Sequence, residues 1–189
     1  VRTVTSGAID MAKVTNPLAE IHNALISRNV QKLSSILSQL PRHMNFVSKE
    51  SQKHYGFLGL AVRQDCPEAI DVLIEHGADV NEEIATGVTP LISAVYRDRP
   101  ECAKKLIAHG ASLTSISAAH VSYEFYLNDC GSPSRYSDSM TSLAHLAAES
   151  NSPQMLSVLN GKVDLNAQTK LGLRPIQLAC LFRFLEAAQ

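Results

Sequence analysis

The segment "GLAVRQDCPEAIDVLIEHGADVN" (Gly59–Asn81) aligns without gaps on "ISAVYRDRPECAKKLIAHGASLT" (Ile92–Thr114). Ala61 falls on Ala94, Pro67 on Pro100, Glu68 on Glu101 and Gly77 on Gly110, each pair 33 residues apart. Such a period restricts the chain to architectures that stack one supersecondary unit on copies of itself. A single unit cannot bury its own apolar face, so its neighbours must do so.

Each unit reads as two short helices. In "GVTPLISAV" the Thr89 hydroxyl is suited to cap the first helix, and Pro90 occupies the first turn, where no amide donor is required. Ala94 and Val95 supply small apolar surface for close packing. After "RDRP", Pro100 opens a second helix whose apolar Cys102, Ala103, Leu106 and Ile107 recur at helical spacing. Gly110 is placed to end it in the left-handed conformation, with His109 at the negative end of the helix dipole. The preceding unit repeats this with Pro67, Ile70, Leu73, Ile74, His76 and Gly77.

With this period and these residues, the chain resembles the ankyrin-repeat family. "GVTPLISAV" and "VLIEHGADVN" are similar to the family's G-x-T-P-L-H-x-A-A and L-L-x-x-G-A-D-V-N signatures. "IHNALISRNVQKLSSIL" (Ile21–Leu37) reads as a degenerate first repeat with His22 at the motif histidine position. "SLAHLAAESNSPQMLSVLNGKVDLN" (Ser142–Asn166) is a fourth, with His145 at that position, and "LGLRPIQLACLFRFLEAAQ" opens a fifth. The resemblance implies an all-α fold, an ankyrin-repeat solenoid of stacked helix–turn–helix units with projecting hairpin loops, one of them elongated by insertion. A leader over 1–15 would precede an array over 16–189, with repeats at about 16–45, 46–81, 82–114, 141–166 and an incomplete 167–189. The expected core includes Ala61, Leu73, Ile74, Ala94, Leu106, Ile107, Ala147, Leu156, Leu159 and Ala179. Because the chain opens at Val1 and its fifth repeat stops inside a second helix, a trimmed start and a continuation past Gln189 are expected.

Between the third and fourth repeats the period breaks. Ala94 to Ala147 spans 53 residues, 20 more than one period, and the excess lies between Thr114 and Ser142. Loop closure costs grow slowly with length, so an insertion at a hairpin position is tolerated. The segment is chemically distinct. The chain has five Phe, five Tyr and no Trp, yet Tyr123, Phe125, Tyr126 and Tyr136 all fall in "HVSYEFYLNDCGSPSRYSDS". Val121, Tyr123, Phe125 and Leu127 alternate with polar residues as a strand would, and "NDCGSPS" supplies turn chemistry, so an elongated hairpin is expected. A helix through 121–128 fits as well. Three readings remain open: a partner-binding finger, aromatics that pack down on the array, or a disordered segment.

The composition narrows the function. A net charge of -1, with no Lys/Arg-dense block, gives no electrostatic footprint for nucleic acid. No apolar run is long enough to cross a membrane, and no leader sequence is visible. Cys66, Cys102, Cys130 and Cys180 are scattered without metal-ligand spacing and read as idle or buried thiols in a reducing compartment. His22 and His145 are better suited to bonding neighbouring turns than to holding a metal. No phosphate-binding loop is present, and "GSPSRYSDS" signals phosphorylation only weakly. A catalytic reading would take Cys130 as nucleophile, His120 or His145 as base and Asp129 or Asp138 as orienter. No surrounding motif supports it, so no catalytic, cofactor or metal residue is assigned.

What the resemblance implies instead is a monomeric, non-catalytic module that binds a partner protein, cytoplasmic or nuclear, along its first helices and hairpin tips. The residues this marks are Arg63, Gln64, Ser93, Tyr96 and Arg97 on first helices, and Glu82, Glu83, Thr86 and Val88 on the hairpin between repeats two and three. Tyr123, Phe125, Tyr126, Arg135 and Tyr136 in the insertion join them. The alternative is a targeting arm of a multidomain enzyme, or of a bacterial effector acting in a host cell, whose catalytic domain lies beyond Gln189.

Overall fold

A computed structural model of the chain describes residues 17–40, 56–83, 88–113 and 142–181. Among them are nine helices: α1 (Pro17–Ile26), α2 (Val30–Leu37), α3 (Phe57–Arg63), α4 (Pro67–Glu75), α5 (Pro90–Tyr96), α6 (Pro100–Ala108), α7 (Leu143–Glu149), α8 (Pro153–Leu159) and α9 (Pro175–Leu181). Successive pairs α1/α2, α3/α4, α5/α6 and α7/α8 pack within their units. First helices then stack in one row, α1–α3–α5–α7–α9, and second helices in another, α2–α4–α6–α8. The described residues thus form the all-helical stacked solenoid that the repeat predicts.

The units are built by the same local rules. Thr89 caps α5, its hydroxyl accepting from the Ile92 amide at 3.3 Å, and Pro90 occupies the first turn. Proline likewise opens α4, α6, α8 and α9. Each first helix turns into its partner through one left-handed residue, Arg28, Asp65, Asp98 or Asn151, with φ between 50° and 52°. Asp and Asn visit this region at little cost; Arg28 does so against preference. One residue further on, the amides of Asn29, Cys66, Arg99 and Ser152 donate to the carbonyls of Ala24, Ala61, Ala94 and Ala147 at 2.9–3.1 Å. The alanines that define the repeat are thus the residues on which every tight turn closes. Gly77 and Gly110 end α4 and α6 at φ 99° and 86°, as expected, directly after the capping residues His76 and His109.

The core runs continuously along both rows. Six consecutive residues are buried in each of three first helices: Phe57–Val62, Pro90–Val95 and Leu143–Ala148. Second helices are one-sided, burying Ala69, Ile70 and Leu73 in α4 and Cys102, Ala103 and Leu106 in α6. Each fully buried Leu contributes about 1.5–3 kcal/mol relative to exposure, so the packing dominates what the short helices lack in intrinsic stability. Ala61, Leu73, Ala94, Leu106, Ala147, Leu159 and Ala179 are buried as expected, while Ile74, Ile107 and Leu156 are half-buried against the core.

The row is not interrupted where the period breaks. α5 packs directly on α7, and α6 on α8, so both helix rows continue across the break in the period. The inserted residues themselves lie outside the described residues.

Candidate functional site

In α3, α5 and α7 the first helices are buried nearly all round, so only their last turns offer side chains to a partner. By contrast, α1 also exposes Asn23, and α9 exposes Ile176 and Gln177. Arg63 is exposed and Gln64 half-buried at the end of α3; Tyr96 and Arg97 are half-buried at the end of α5. The register carries this row further. Ile26, half exposed, and Glu149 stand at the same step of α1 and α7, and Ser150 matches Gln64 and Arg97. One row therefore reads Ile26, Arg63, Tyr96, Glu149: apolar, basic, aromatic, acidic. Sequence reasoning stopped at Arg97. Extending the same alanine register to 24 and 147 would have reached Ile26 and Glu149.

Two expected surface residues are not on the surface. Ser93 is 1% exposed and Val88 2%. Ser93 lies beside the ladder residue Ala94 and faces the preceding unit, where Gly56 and Gly59 leave a small cavity that it shares with Val88 and Pro90. Val88 precedes the Thr89 cap and joins the core cluster. On the hairpin, Glu83 is exposed, but Glu82 is half-buried beside the same cavity. Burial, and then the nearby Asp79 charge, raise the Glu82 pKa. A Cβ on Gly56 would come within 2.5 Å of the Glu82 carboxylate, so glycine is what lets this side chain fold inward. Thr86, Tyr123, Phe125, Tyr126, Arg135 and Tyr136 lie outside the described residues.

The turns of successive units are wired together. The Asp65 carboxylate reaches Arg99 at 3.6 Å and accepts from the Cys102 thiol at 3.8 Å. One period later, Asp98 accepts from the Ser152 hydroxyl, and the Ser150 hydroxyl donates to the Tyr96 carbonyl at 3.3 Å. Burial, with Asp65 adding to it, pushes the Cys102 thiol up to about 12, and burial also raises Cys66. These two are inert thiols at neutral pH, as structural cysteines are. Cys180 is free and exposed.

His145 shows what the motif histidine does. It is 0% exposed. Its Nε2 lies 3.1 Å from the Leu173 carbonyl, which can only accept, so Nε2 carries the proton. Nδ1 then accepts from the Ser142 hydroxyl at 2.8 Å. Burial lowers the His145 pKa in spite of its hydrogen bonds to the backbone of Leu173 and Ala167. A neutral ring thus ties α7 to the turn before α9, where the Thr169 hydroxyl also accepts from the Leu171 and Leu173 amides. With both nitrogens committed, His145 has no lone pair or proton to lend to catalysis. His120, Asp129, Cys130 and Asp138 lie outside the described residues.

The hairpins use side chains as turn formers. Asp79 and Asp164 accept from the amides of Asn81 and Asn166, at 2.9 and 2.8 Å, in the matching "ADVN" and "VDLN" sequences. The Asn81 carboxamide in turn accepts from the Ser112 amide at 2.7 Å, linking one hairpin to the next.

Residues 21–117, just over half of the chain, match a family model described as ankyrin repeats in three copies. The chain belongs to the ankyrin-repeat family. No match was found among the curated proteins. Ankyrin repeats are generally protein–protein interaction modules and are typically non-catalytic. No helix among the described residues is long and apolar enough to cross a membrane.

Proposed function

We propose that this array is a non-catalytic recognition module that grips a partner protein along the exposed ends of its first helices, its hairpin tips and its aromatic insertion. The row Ile26, Arg63, Tyr96, Glu149 carries this reading. Four side chains of different chemistry stand at one step of four successively packed helices, each rooted in a buried core. Rigid backbone beneath varied side chains is what a specific interface requires, because little ordering entropy is lost on docking. Tyr96 beside Arg97 is the anchor pair, since aromatic and guanidinium groups dominate interface energetics. Gln64, Glu82 and Glu83 flank it, and Tyr123, Phe125, Tyr126, Arg135, Tyr136 and Thr86 extend the contact from the hairpin side. Ser93 and Val88, being buried, support that surface and do not touch the partner.

The test pairs two variants. Y96A/R97A removes the anchor, and replacing Tyr123–Tyr136 with a tight Gly-containing hairpin removes the insertion. The insertion swap is expected to melt like the parent, and Y96A/R97A somewhat lower, because Tyr96 also packs against the core. Both are expected to lose the proteins that the parent captures and crosslinks in lysate. Capture that survives both changes would refute the reading, and a lowered melting point with intact capture would make the insertion a packing element instead.

A further inference from the structure

The second-helix row carries a surface independent of the one just described. Between α4 and α6 it is closed by a carboxylate: Asp71 meets Lys105 at 2.6 Å and His109 at 2.9 Å. Between α6 and α8 the same register puts different residues in the same places. Counting from the opening prolines 67, 100 and 153, Asp71 corresponds to Lys104, Lys105 to Val158 and His109 to Lys162. The gripping cation is still there in Lys162, but a second cation replaces the carboxylate it would grip. Here an open surface groove of about 710 Å³ runs along the packed helices, with Pro100, Ile107 and Val158 lining it.

Among the described residues, three charged side chains line this groove: Lys104, Lys162 and Glu101. Glu101 holds Lys104 in a solvated pair at 2.6 Å, both side chains more than half exposed, and such pairs exchange partners at little cost. Lys162 donates to the Val158 carbonyl at 3.1 Å, which leaves the other donors of its ammonium for a ligand. The groove thus has an apolar floor and a net positive rim.

We propose that the α6/α8 groove docks an acidic amphipathic segment of a partner protein, whose carboxylates meet Lys104 and Lys162 while its apolar side chains cover Ile107 and Val158. The incoming carboxylate does between α6 and α8 what Asp71 does within the chain between α4 and α6. Charge complementarity sets the choice: an apolar ligand would leave the rim unanswered, and a basic one would be repelled.

The probe is a fluorescein-labelled peptide of about four helical turns with Leu on one face and Glu on the other. Its Gln counterpart serves as comparator, and binding is read by anisotropy. The Glu peptide is expected to bind saturably, and the Gln peptide and the K104E/K162E variant to weaken that binding about tenfold or more, with loss in high salt. K170E, on an exposed residue away from the groove, is expected to bind as the parent does. Melting curves keep a folding defect in K104E/K162E separate from a binding defect, and unequal affinity of the two peptides for the parent stands apart from any variant. Equal binding of both peptides, or undiminished binding by K104E/K162E, overturns the proposal. So does sedimentation showing a dimer that K104E/K162E dissolves, which would make a second copy the occupant. A rise in affinity when residues 120–139 are replaced by a Gly/Ser linker would make the occupant the chain's own.

Discussion

The junction between the second and third units and the junction between the third and fourth use the same helix rows, yet they are finished differently. In both, first helices meet face to face, and a carboxylate in the left-handed turn reaches the residue capping the next second helix: Asp65 to Arg99, Asp98 to Ser152. The second-helix row diverges. Asp71, Lys105 and His109 close one junction, while Lys104 and Lys162 border an open groove at the other. Twenty extra residues are also accommodated at the second junction without loss of the first-helix contact. The stack is therefore held by the buried alanine ladder and its turns, and the second-helix edge is free to vary.

If that is so, damage to the shared core must outweigh anything done at the edge. Leu106 is fully buried on α6, the helix common to both junctions. Leu106→Ala is expected to cost about 2–5 kcal/mol, from lost transfer energy and a cavity that rigid neighbours fill poorly. Urea titration checks it: the midpoint should fall at unchanged slope. A loss well below 1 kcal/mol would mean that the two junctions do not share a core in any energetic sense.

A smaller loss is expected from the polar tie beyond the second junction. His145→Ala removes the donor to the Leu173 carbonyl and strands Ser142, which should cost about 1–3 kcal/mol as buried groups lose partners. The pH dependence has a definite sign. The folded pKa of His145 lies below its ordinary 6.5, so the unfolded chain takes up the proton first. Stability from this site is present above 6.5 and is lost as pH falls toward the folded value. Melting across that window should be steeper for the parent than for His145→Ala. Identical slopes would show that the ring is not neutral in the fold.

How much of this was legible in advance follows from distance along the chain. Thr89 as a cap, Gly110 as a stop and His145 as a tie to a neighbouring turn were readable, because each is fixed by a few adjacent residues or by the period itself. The exposed face of the first helices was not. Helical periodicity marks a surface only when one side faces solvent, and here Pro90–Val95 is buried all round, so Ser93 lies inside. Val88, expected on the hairpin, is drawn into the core just before the Thr89 cap. Nor was the Asp71 cluster readable: its partners lie 34 and 38 residues away, and no local pattern pairs them. Lys104 and Lys105 are adjacent in sequence, yet the two face different neighbours.

That last pair offers the finest test of the contrast. Asp71 bridges two helices, whereas Lys104 bonds Glu101 within its own. Burial alone would raise the Asp71 pKa, but hydrogen bonds from Lys105 and His109 outweigh it and hold the carboxyl below its ordinary 3.8. The bridge therefore stabilises the fold above pH 3.8, and its contribution disappears as pH falls through the lowered value. Asp71→Asn should lower the melting midpoint by no more than about 2–4 °C at neutral pH, and the parent should lose that advantage in acid or in high salt. Lys104→Ala should move the midpoint less, since an exposed pair within one helix holds nothing together across units. Were Lys104→Ala the more damaging, the open junction would be carrying electrostatic load of its own, and the division between a closed edge and a vacant one would fail.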